Sequence, residues 1–432
     1  MTCVVSPGRV DGTLAAPSSK SVTHRAYLLA AQSEVACRVD SPLQSGDTDA
    51  MLACLTALGA AATVEAGHVG FTPRDLHAPR DALDCGNSGT ALRLLTATVA
   101  RLADETRLTG DASLRSRPNA SLLHALTRLG ASISDAGDGR APLRVRGPIR
   151  AGSTALPRSV SSQFTSALLL SLPFLEGDSA LELEGQTPSR PYVDLTLGLA
   201  RAAGLRRGEP GGPQGGRFLV PGAQRVTTRA IRVEGDWSGA AFPLAAAAVT
   251  GGCVAVTGLD AASLQGDRAI VPLLRRFGAR VTAGAGQVSC EGGPLVGVVD
   301  LDVSQTPDLF PVLAVVAACA RGTTRLTGGA ALRHKETDRI RAMSEGLRAM
   351  GIRTREHPDG LEVTGGPLAG APVDAQGDHR IHMAFVVAGL AAQGRTTVTD
   401  AGSAVVSYPR FHRDLGRLGG RLGLDAVARL RS

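Results

Sequence analysis

Lysine is almost absent from this chain of 432 residues. Of its 46 lysines and arginines only two are lysines, Lys20 and Lys335, so nearly every basic side chain carries a guanidinium. A guanidinium stays charged in proteins, whereas the lysine ammonium is compact and loses its proton more readily when it is buried. The two lysines therefore indicate positions where a compact, titratable ammonium is needed.

Other scarcities exclude whole classes of protein. Aromatic residues make up 3% of the chain and no run of adjacent basic residues exceeds two, which argues against nucleic-acid binding. The seven cysteines are scattered without a CxxC pair, as expected for reduced thiols in the cytoplasm. The N-terminus has no basic start followed by an apolar core. The apolar stretches near 239–256 and 310–320 are interrupted or too short to span a bilayer.

The common nucleotide-binding motifs are missing as well. A P-loop requires Gly-Lys-Ser/Thr, but Lys20 follows Ser19 and Lys335 follows His334. No GxGxxG follows a predicted strand, so a dinucleotide site has little support. The formal net charge of +7 instead suits a small anionic substrate.

One pattern recurs six times along the chain: an amphipathic helical segment that ends in an apolar residue and a glycine. The glycines lie 68 to 74 residues apart, at Gly59, Gly130, Gly204, Gly278, Gly351 and Gly419. Glycine is expected after the last helical turn because it accepts a left-handed backbone, and the polar segments that follow resemble short hairpins. Six α+β units, each too small to bury both faces alone, predict two domains of three units with a midpoint near residues 221–235.

Polar clusters interrupt the apolar periodicity where several helices are predicted to begin. The first is SSKSVTHR (18–25), in which Lys20 and His24, and also Ser21 and Arg25, are four residues apart. A helix that starts there would present these donors as neighbours on one side. Such an N-terminus is an anion site, although a capped surface helix has the same pattern.

Two further clusters combine small and polar residues. The turn CGNSGTALR (85–93) opens into an apolar helix, and its small residues let backbone N–H groups approach a ligand. Arg117 precedes a helix that starts at a proline, and Ser161, Ser162 and Gln163 gather where another apolar helix begins. Each of these also has a purely structural explanation, as a helix-entry loop or a cap.

Acidic and basic residues cluster together in the second half of the chain. Asp308 lies at the start of the apolar segment TPDLFPVLAVVAA, where it is either a cap or a general base. The segment LRHKETDRIRA is a second candidate, with Lys335, Glu336, Asp338 and Arg339. Their spacing is equally typical of a solvated helix face with salt bridges.

A last cluster, GDHRIHMAFVVAGL (377–390), places Asp378, His379 and Arg380 before another apolar helix. His379 and His382 are three residues apart and could bind a metal. No HExxH motif or cysteine partner accompanies them, so we expect no metal.

Taken together, these motifs resemble the successive signatures of the 5-enolpyruvylshikimate-3-phosphate synthase family. They follow that family's order from residue 17 to beyond residue 400: SSKSVTHRAYLLAA, CGNSGTALRLL, RPNASLLHAL, SSQFTSALLL, RPYVDLT, TPDLFPVLAVVAA, RHKETDRIRA and GDHRIHMAFVVAGL. The resemblance implies an α/β (α+β) fold of two inside-out barrels, with helices inside and sheets outside, each built from three βαβαββ-type repeats. Because the family's first strand joins the second domain, we expect residues 14–228 to form one domain and residues 1–13 and 229–432 the other, with the active site in the interdomain cleft.

The resemblance also implies a reaction. A transferase of this family moves the enolpyruvyl group of phosphoenolpyruvate onto the 5-hydroxyl of shikimate 3-phosphate and releases phosphate, in the shikimate pathway of aromatic amino acid biosynthesis. Both substrates are multiply anionic, so ammonium and guanidinium groups would neutralise them without a metal. We expect a cytoplasmic monomer that uses no cofactor and binds neither nucleic acid nor membrane.

The site residues are implied by the same match. Shikimate 3-phosphate would be held by Lys20, Ser21, Arg25, Ser161, Ser162, Gln163, Ser189, Asp308 and Lys335. Phosphoenolpyruvate would be held by Lys20, Gly89, Arg117, Gln163, Arg339 and Arg380. Asp308 would take the proton from the attacking hydroxyl, and Glu336, with Lys20 or Lys335, would exchange a proton with the methylene carbon.

Three positions depart from the family's pattern. Ser18 replaces a glycine before Ser-Lys-Ser, Ala331 stands where many members have asparagine, and Val406 replaces a lysine that often precedes Thr-Phe-Pro. The last change removes a phosphoenolpyruvate contact or leaves it to another residue, such as Arg410.

Two alternatives differ from this assignment. The sister enzyme that transfers enolpyruvate to UDP-N-acetylglucosamine shares the fold, but it uses a reactive loop cysteine and lacks Ser-Lys-Ser and Asp-His-Arg as written here. A repeat-built binding module for anionic ligands would not need Asp308 and Glu336 beside the cationic clusters.

The scarcity of lysine leads to a direct prediction for Lys20→Arg. The substitution keeps the positive charge but replaces the compact ammonium with a wider guanidinium that does not titrate, so we expect turnover to fall. Steady-state kinetics of the purified variant would measure the loss. Near-normal activity would show that the argument from lysine scarcity is wrong.

Overall fold

The structure is a computed structural model that describes residues 1–157, 161–184, 189–206, 209–211 and 216–425. The chain divides into two compact units. We call Ser18–Val233 the central unit, and Met1–Pro17 together with Glu234–Ser432 the flanking unit. The boundaries expected from the sequence, before residues 14 and 229, lie four and five residues earlier than this division.

The helices of the described residues vary from short segments to long apolar ones. They are α1 Lys20–Ala31, α2 Gly46–Ala57, α3 Gly89–Val99, α4 Ala112–Ser116, α5 Ala120–Arg128, α6 Ser162–Leu169, α7 Arg190–Ala202, α8 Trp237–Thr250, α9 Ile270–Arg276, α10 Phe310–Cys319, α11 Arg339–Ala349, α12 His379–Ala391 and α13 Phe411–Arg417. Along the described chain, no helix combines the length and apolar character needed to cross a bilayer.

The strands are short, as expected for repeated small sheets. They are β1 Thr2–Ser6, β2 Asp11–Ala15, β3 Cys37–Asp40, β4 Ala61–Glu65, β5 His68–Thr72, β6 Leu83–Asp84, β7 Thr106–Thr109, β8 Ser132–Ser134, β9 Leu143–Arg146, β10 Ser153–Leu156, β11 Ser179–Leu183, β12 Glu209–Gly211, β13 Arg217–Val220, β14 Ala230–Arg232, β15 Cys253–Thr257, β16 Arg280–Gly284, β17 Gln287–Glu291, β18 Leu301–Asp302, β19 Thr323–Thr327, β20 Arg353–His357, β21 Gly360–Thr364, β22 Pro372–Val373, β23 Thr396–Val398 and β24 Arg421–Asp425.

Among the described residues, each unit contains three four-stranded sheets. Their strand orders are β14-β3-β5-β4, β6-β7-β9-β8 and β10-β11-β13-β12 in the central unit, and β16-β17-β15-β2, β18-β19-β21-β20 and β22-β23-β1-β24 in the flanking unit. In every sheet the two strands at one edge run parallel and the other pairs are antiparallel. A parallel pair cannot be closed by a hairpin, so a helix connects it where its two strands follow each other in the chain.

Three helices in each unit are buried along nearly their whole length: α1, α3, α6, α8, α10 and α12. In α10, for example, every residue from Phe310 to Ala318 is buried. A helix surrounded on all sides by other elements has no solvent-facing stripe, which explains its near-continuous apolar sequence. Most of the polar clusters found in the sequence fall at the N-terminal ends of these buried helices, where backbone N–H groups lack partners within the helix, but Arg117 precedes α5 and Lys335 precedes α11.

The six recurring glycines all have a positive φ, between +84° and +108°. Each lies two residues after the end of an amphipathic helix: α2, α5, α7, α9, α11 and α13. This confirms the predicted left-handed conformation after each helix. The glycine spacing therefore reports a repeated backbone geometry rather than a repeated function.

Gly351 tests this geometry because its φ is +84° and a Cβ added there would meet nothing within 4 Å. For Gly351→Ala we expect a loss of about 1–2 kcal/mol in the free energy of unfolding, since only the backbone conformation opposes the change. Urea denaturation of the purified variant would measure it.

Gly416→Ala is the matched control. Gly416 lies within α13, and a Cβ there also meets open space, but its φ is not positive. That variant should be neutral or more stable by about 0.5–1 kcal/mol. Equal effects of the two substitutions would contradict the proposed origin of the glycine repeat.

Candidate functional site

Lys20 is the first residue of α1 and is mostly buried. Ser19 caps the helix by accepting a hydrogen bond from the Val22 backbone N–H. The Lys20 ammonium lies 2.7 Å from Asp47 Oδ2, and the two side chains are 15% and 9% exposed. Asp47 lies in the first turn of α2 and was not among the residues expected from the sequence. The ion pair holds a lysine at the start of a buried helix in a fixed position.

His24 lies one turn further along α1 and is fully buried. Its Nδ1 is 2.9 Å from the Lys20 carbonyl oxygen, which can only accept, so Nδ1 carries the proton. Its Nε2, 3.0 Å from Ser88 Oγ, is then the acceptor in the neutral ring. Burial lowers the pKa of His24 to about 4. The neutral imidazole thus ties α1 to the glycine turn that precedes α3.

Arg25 is a buried cation whose partners are hydroxyl and carbonyl oxygens. Its Nε donates to Thr196 Oγ1 at 2.7 Å, and its other nitrogens donate to Ser166 Oγ at 3.1 Å and to the Ser21 carbonyl at 2.9 Å. Burial lowers the pKa of Arg25 to about 10, so the guanidinium remains charged at neutral pH. A positive charge solvated by neutral dipoles retains its attraction for an anion.

Gly89 opens α3, and its missing side chain makes room for two guanidinium groups. A Cβ at this position would lie 3.1 Å from Arg93 Nη1, 3.3 Å from Arg117 Nη1 and 3.6 Å from Gln163 Oε1. Arg93 Nη1 donates to Gln163 Oε1, and Gln163 Nε2 donates to Thr90 Oγ1 at 3.1 Å. Gly89, Arg117 and Gln163, which the sequence suggested separately, therefore lie together.

Arg93 completes this cation pair but was not among the expected site residues. Its Nε donates to Asn119 Oδ1 at 3.1 Å, which fixes the plane of the guanidinium. Arg117 is held in turn by Asn87 and Ser113. The sequence does contain a signal for Arg93: it is a charged residue within the apolar segment TALRLL. A charged residue in a buried helix needs partners, so Arg93 could have been recognised as a candidate site residue.

The serines at the starts of α6 and α7 are also in the central unit. Ser161 Oγ accepts from the Gln163 backbone N–H at 3.3 Å as the cap of α6, and Ser162 is buried in the first turn. Ser189 precedes α7 with a left-handed backbone, φ +56°, which is uncommon for a residue other than glycine. Such a conformation is often found where a side chain must be placed for function.

In the flanking unit, Arg339 organises a network of carboxylates around one buried guanidinium. The side chain is 1% exposed. Its Nε donates to Asp378 Oδ2 at 2.7 Å, Nη2 to Glu336 Oε2 at 2.8 Å, and Nη1 to Asp308 Oδ1 at 3.0 Å. The three acids come from separate stretches of sequence. Burial opposes the charged form of Arg339, but Asp378, Glu336 and Asp308 outweigh it and raise its pKa.

Asp308 lies among three cations. Arg380 Nη2 is 3.2 Å from Asp308 Oδ2, Arg339 Nη1 is 3.0 Å from Oδ1, and Lys335 Nζ is 4.0 Å from Oδ1. Burial would raise the pKa of Asp308, but Arg380, Lys335 and Arg339 together hold it well below its usual value. The carboxylate therefore stays ionised, and its side chain is 17% exposed.

The capping explanation for Asp308 finds no support in the geometry. Neither the turn of 3₁₀ helix at Pro307–Leu309 nor α10 has a side-chain cap hydrogen bond. Asp378, by contrast, caps α12 by accepting from the Arg380 backbone N–H at 2.8 Å. The two aspartates at the starts of buried helices thus have different roles.

The two histidines considered as metal ligands lie near other groups, and His379 Nδ1 is 3.9 Å from Asp378 Oδ1. His382 Nδ1 is 2.7 Å from the Thr399 carbonyl and its Nε2 is 2.8 Å from His412 Nε2. Within the described ranges, no group of three or more His, Cys, Asp or Glu side chains is arranged to hold a metal ion.

Arg410 was considered as a substitute for the lysine replaced by Val406. Its Nε lies 3.7 Å from Asp414 Oδ2, and its side chain is 49% exposed. The guanidinium is therefore engaged by the helix that it precedes, α13.

The expected residues thus divide into two groups, one in each unit, which we call the central cluster and the flanking cluster. The central cluster contains Lys20, Ser21, Arg25, Gly89, Arg117, Ser161, Ser162, Gln163 and Ser189. The flanking cluster contains Asp308, Lys335, Glu336, Arg339 and Arg380. The central cluster is built from cations and hydroxyl groups, whereas the flanking cluster combines cations with carboxylates that can exchange protons.

Comparison with known proteins agrees with this chemistry. The family model described as EPSP synthase (3-phosphoshikimate 1-carboxyvinyltransferase) matches residues 4–415. A 3-phosphoshikimate 1-carboxyvinyltransferase of Methanocella arvoryzae is 45% identical over 430 residues, which cover 98% of this chain and 100% of the relative. One from Halobacterium salinarum is 43% identical over 433 residues, covering 97% and 99%.

A solved structure is also similar over the full length. The EPSP synthase of Acinetobacter baumannii superimposes with a TM-score of 0.81 at 29% sequence identity, covering 98% of this chain and 100% of that chain. This similarity is consistent with the α/β architecture described above.

Proposed function

Because the chain belongs to the EPSP synthase family, it is a transferase of the shikimate pathway, and we propose that the two clusters carry out enolpyruvyl transfer from phosphoenolpyruvate to the 5-hydroxyl of shikimate 3-phosphate. The observation that carries the assignment of roles is Asp308, a carboxylate kept ionised among three cations. Both substrates are polyanions and need cations to bind them. The cations proposed for this task, Arg380, Arg339 and Lys335, also surround Asp308, the group proposed to receive a proton.

The binding roles follow the composition of each cluster. Arg25 presents a buried charge solvated by neutral dipoles, which suits the phosphate of shikimate 3-phosphate. We assign Lys20, Ser21, Ser161, Ser162, Gln163 and Ser189 to the same substrate. Arg117 and Gln163, beside Gly89, suit phosphoenolpyruvate, with Arg339 and Arg380 from the flanking cluster. We propose that the two clusters act on the same pair of substrates.

Substrate binding would change the basicity of Asp308. In the free protein three cations hold its pKa low, which makes it a weak base. An anion that pairs with Arg380 or Lys335 takes up part of that positive charge, so the pKa of Asp308 rises as the site fills. Asp308 then receives the proton of the attacking hydroxyl when both substrates are bound.

We assign the second proton transfer to Glu336. Its Oε2 accepts from Arg339 Nη2 at 2.8 Å, and Arg339 also contacts Asp308. We propose that Glu336, aided by Lys20 or Lys335, exchanges a proton with the methylene carbon. The shared guanidinium couples the charges of the two carboxyl groups.

The finer fold assignment also belongs to the proposal. Buried helices α8, α10 and α12 and strands whose residues alternate between buried and exposed, as in β9 and β15, support an inside-out barrel in each unit. The expectations of a monomer, of a cytoplasmic location, and of no nucleic-acid or membrane partner stay predictions.

The sister reaction on UDP-N-acetylglucosamine is less well supported. Cys85, next to the glycine turn, is buried, and a hydrogen bond with Cys54 together with burial raises its pKa, so it is not a reactive thiolate. Cys253 is exposed but lies within strand β15 rather than in a loop.

Acceptor choice separates the two reactions. With phosphoenolpyruvate and shikimate 3-phosphate we expect phosphate release, and with phosphoenolpyruvate and UDP-N-acetylglucosamine we expect none. A colorimetric phosphate assay on the same enzyme preparation measures both. Absence of turnover with shikimate 3-phosphate would refute the assignment.

Asp308→Ala tests the role of the carboxylate. We expect turnover to fall by about 10²–10⁴-fold, the usual contribution of a positioned base, while both substrates still bind. Phosphate release measures the rate, and calorimetry measures binding.

Asp378→Ala is the comparison variant, because it removes both a helix cap and one of the three acids that pair with Arg339. It should lower the free energy of unfolding by about 3–5 kcal/mol. A similar loss of folding in Asp308→Ala would mean that Asp308 is structural.

A further inference from the structure

Asp267 is a buried carboxyl group outside the residues assigned above. It lies in the 3₁₀ turn Gly266–Ala269 before α9, and it is 1% exposed. The Ser238 hydroxyl, in the first turn of α8, donates to Asp267 Oδ2. Ser238 is itself placed by Asp236, whose Oδ1 accepts from the Ser238 backbone N–H at 2.8 Å. A hydroxyl held in this way keeps the carboxyl of Asp267 in a fixed orientation.

Two of the charged groups that act on the pKa of Asp267 belong to the proposed reaction site. They are the carboxylate of Asp308 and the guanidinium of Arg380, and the Asp236 carboxylate acts on it as well. Helix α8 packs against the turn that carries Asp267, against the turn that carries Asp308 and against α12, which carries Arg380. Arg380 pairs directly with Asp308 at 3.2 Å, and its charge also lowers the pKa of Asp267.

The other charged groups near this turn are engaged elsewhere. The Arg268 guanidinium is exposed and donates to the Ala261 carbonyl. Glu234 Oε1 accepts from Gln265 Nε2 and from Ser263 Oγ, both at 2.8 Å.

These surroundings give Asp267 and Asp308 opposite protonation behaviour. Burial, followed by the negative charge of Asp308, raises the pKa of Asp267 to about 7, against the opposing effects of Arg380 and the Ser238 hydroxyl. Cations hold the pKa of Asp308 well below its usual value. Near neutral pH, Asp267 changes charge while Asp308 stays ionised.

We propose that Asp267 is a positioning residue that acts through the Arg380–Asp308 ion pair and sets how much of the Arg380 positive charge remains for the anionic groups of phosphoenolpyruvate. This inference rests on the proposed role of Arg380 as a phosphoenolpyruvate ligand. When Asp267 is protonated, Asp308 is the facing carboxylate that offsets Arg380. When Asp267 is ionised, two carboxylates offset that charge, so Arg380 attracts the substrate less strongly.

The direction of the pH effect follows from this. Raising the pH ionises Asp267, so the KM for phosphoenolpyruvate should rise in the wild-type enzyme relative to an enzyme that lacks this ionisation. Asp267→Asn keeps the shape of the side chain and mimics its neutral form. The ratio of wild-type to variant KM cancels the titration of phosphoenolpyruvate itself, because both enzymes use the same substrate.

The main experiment measures that ratio from about pH 6 to about pH 8.5 with the phosphate-release assay. We expect the ratio to increase by about three- to tenfold with rising pH, and KM to move more than kcat. A ratio that stays constant across the range would overturn the proposal. A merely structural role predicts that constant ratio together with a lower stability.

Ser238→Ala provides a second, independent variant. Its hydroxyl stabilises the ionised form of Asp267, so its removal should move the rise in KM to higher pH instead of abolishing it. An unchanged position of the rise would count against the proposal. Asp302→Asn is the matched control, because the Asp302 carboxylate also accepts from a serine hydroxyl, Ser304 at 3.1 Å, but is exposed. That control should follow the wild-type pH dependence.

Arg380→Lys separates this inference from the function on which it rests. If Arg380→Lys raises the KM for phosphoenolpyruvate while Asp267→Asn follows the wild-type profile, only the role of Asp267 fails. If Arg380→Lys leaves that KM unchanged, the role of Arg380 fails, and the inference about Asp267 fails with it.

Discussion

The buried guanidinium of Arg339 is the interaction on which the flanking cluster depends. It joins Asp378 at the start of α12, Asp308 before α10 and Glu336 before α11, so one side chain sets the relative positions of three helix ends. Burying a charge is unfavourable unless it is paired and hydrogen-bonded. Here the cation and three acids satisfy one another. The same requirement places the carboxylates close to cations, which hold the pKa of Asp308 well below its usual value.

The central cluster meets the same constraint in a different way. Arg25 is as deeply buried as Arg339, but it is solvated by hydroxyl and carbonyl oxygens. Arg93 and Arg117 converge beside Gly89 with amide partners. The neutral partners of Arg25 leave its positive charge available to a bound anion, whereas the carboxylate partners of Arg339 offset its charge.

Much of the fold could be predicted from local rules. A glycine with positive φ after a helix is a local requirement, so its spacing of 68 to 74 residues reported the repeat without knowledge of contacts. The fully buried helices could be recognised as apolar segments for a similar reason. The polar residues at their N-terminal ends were visible because they interrupt those segments. Asp47, Arg93 and Asp267 were missed as site residues, because an acid in a helix turn or one arginine in a motif has many structural explanations.

The sequence by itself determined the repeat, the two sets of three units, and the residue types at the starts of the buried helices. These depend on backbone conformation and on hydrophobic periodicity, which act over a few residues. Only the tertiary structure decided which charges meet: that Lys20 pairs with Asp47, that Arg339 joins three acids, and that Arg380 pairs with Asp308. The physical reason is that the energy of a charge depends on its burial and on neighbours distant in sequence, and packing alone determines both.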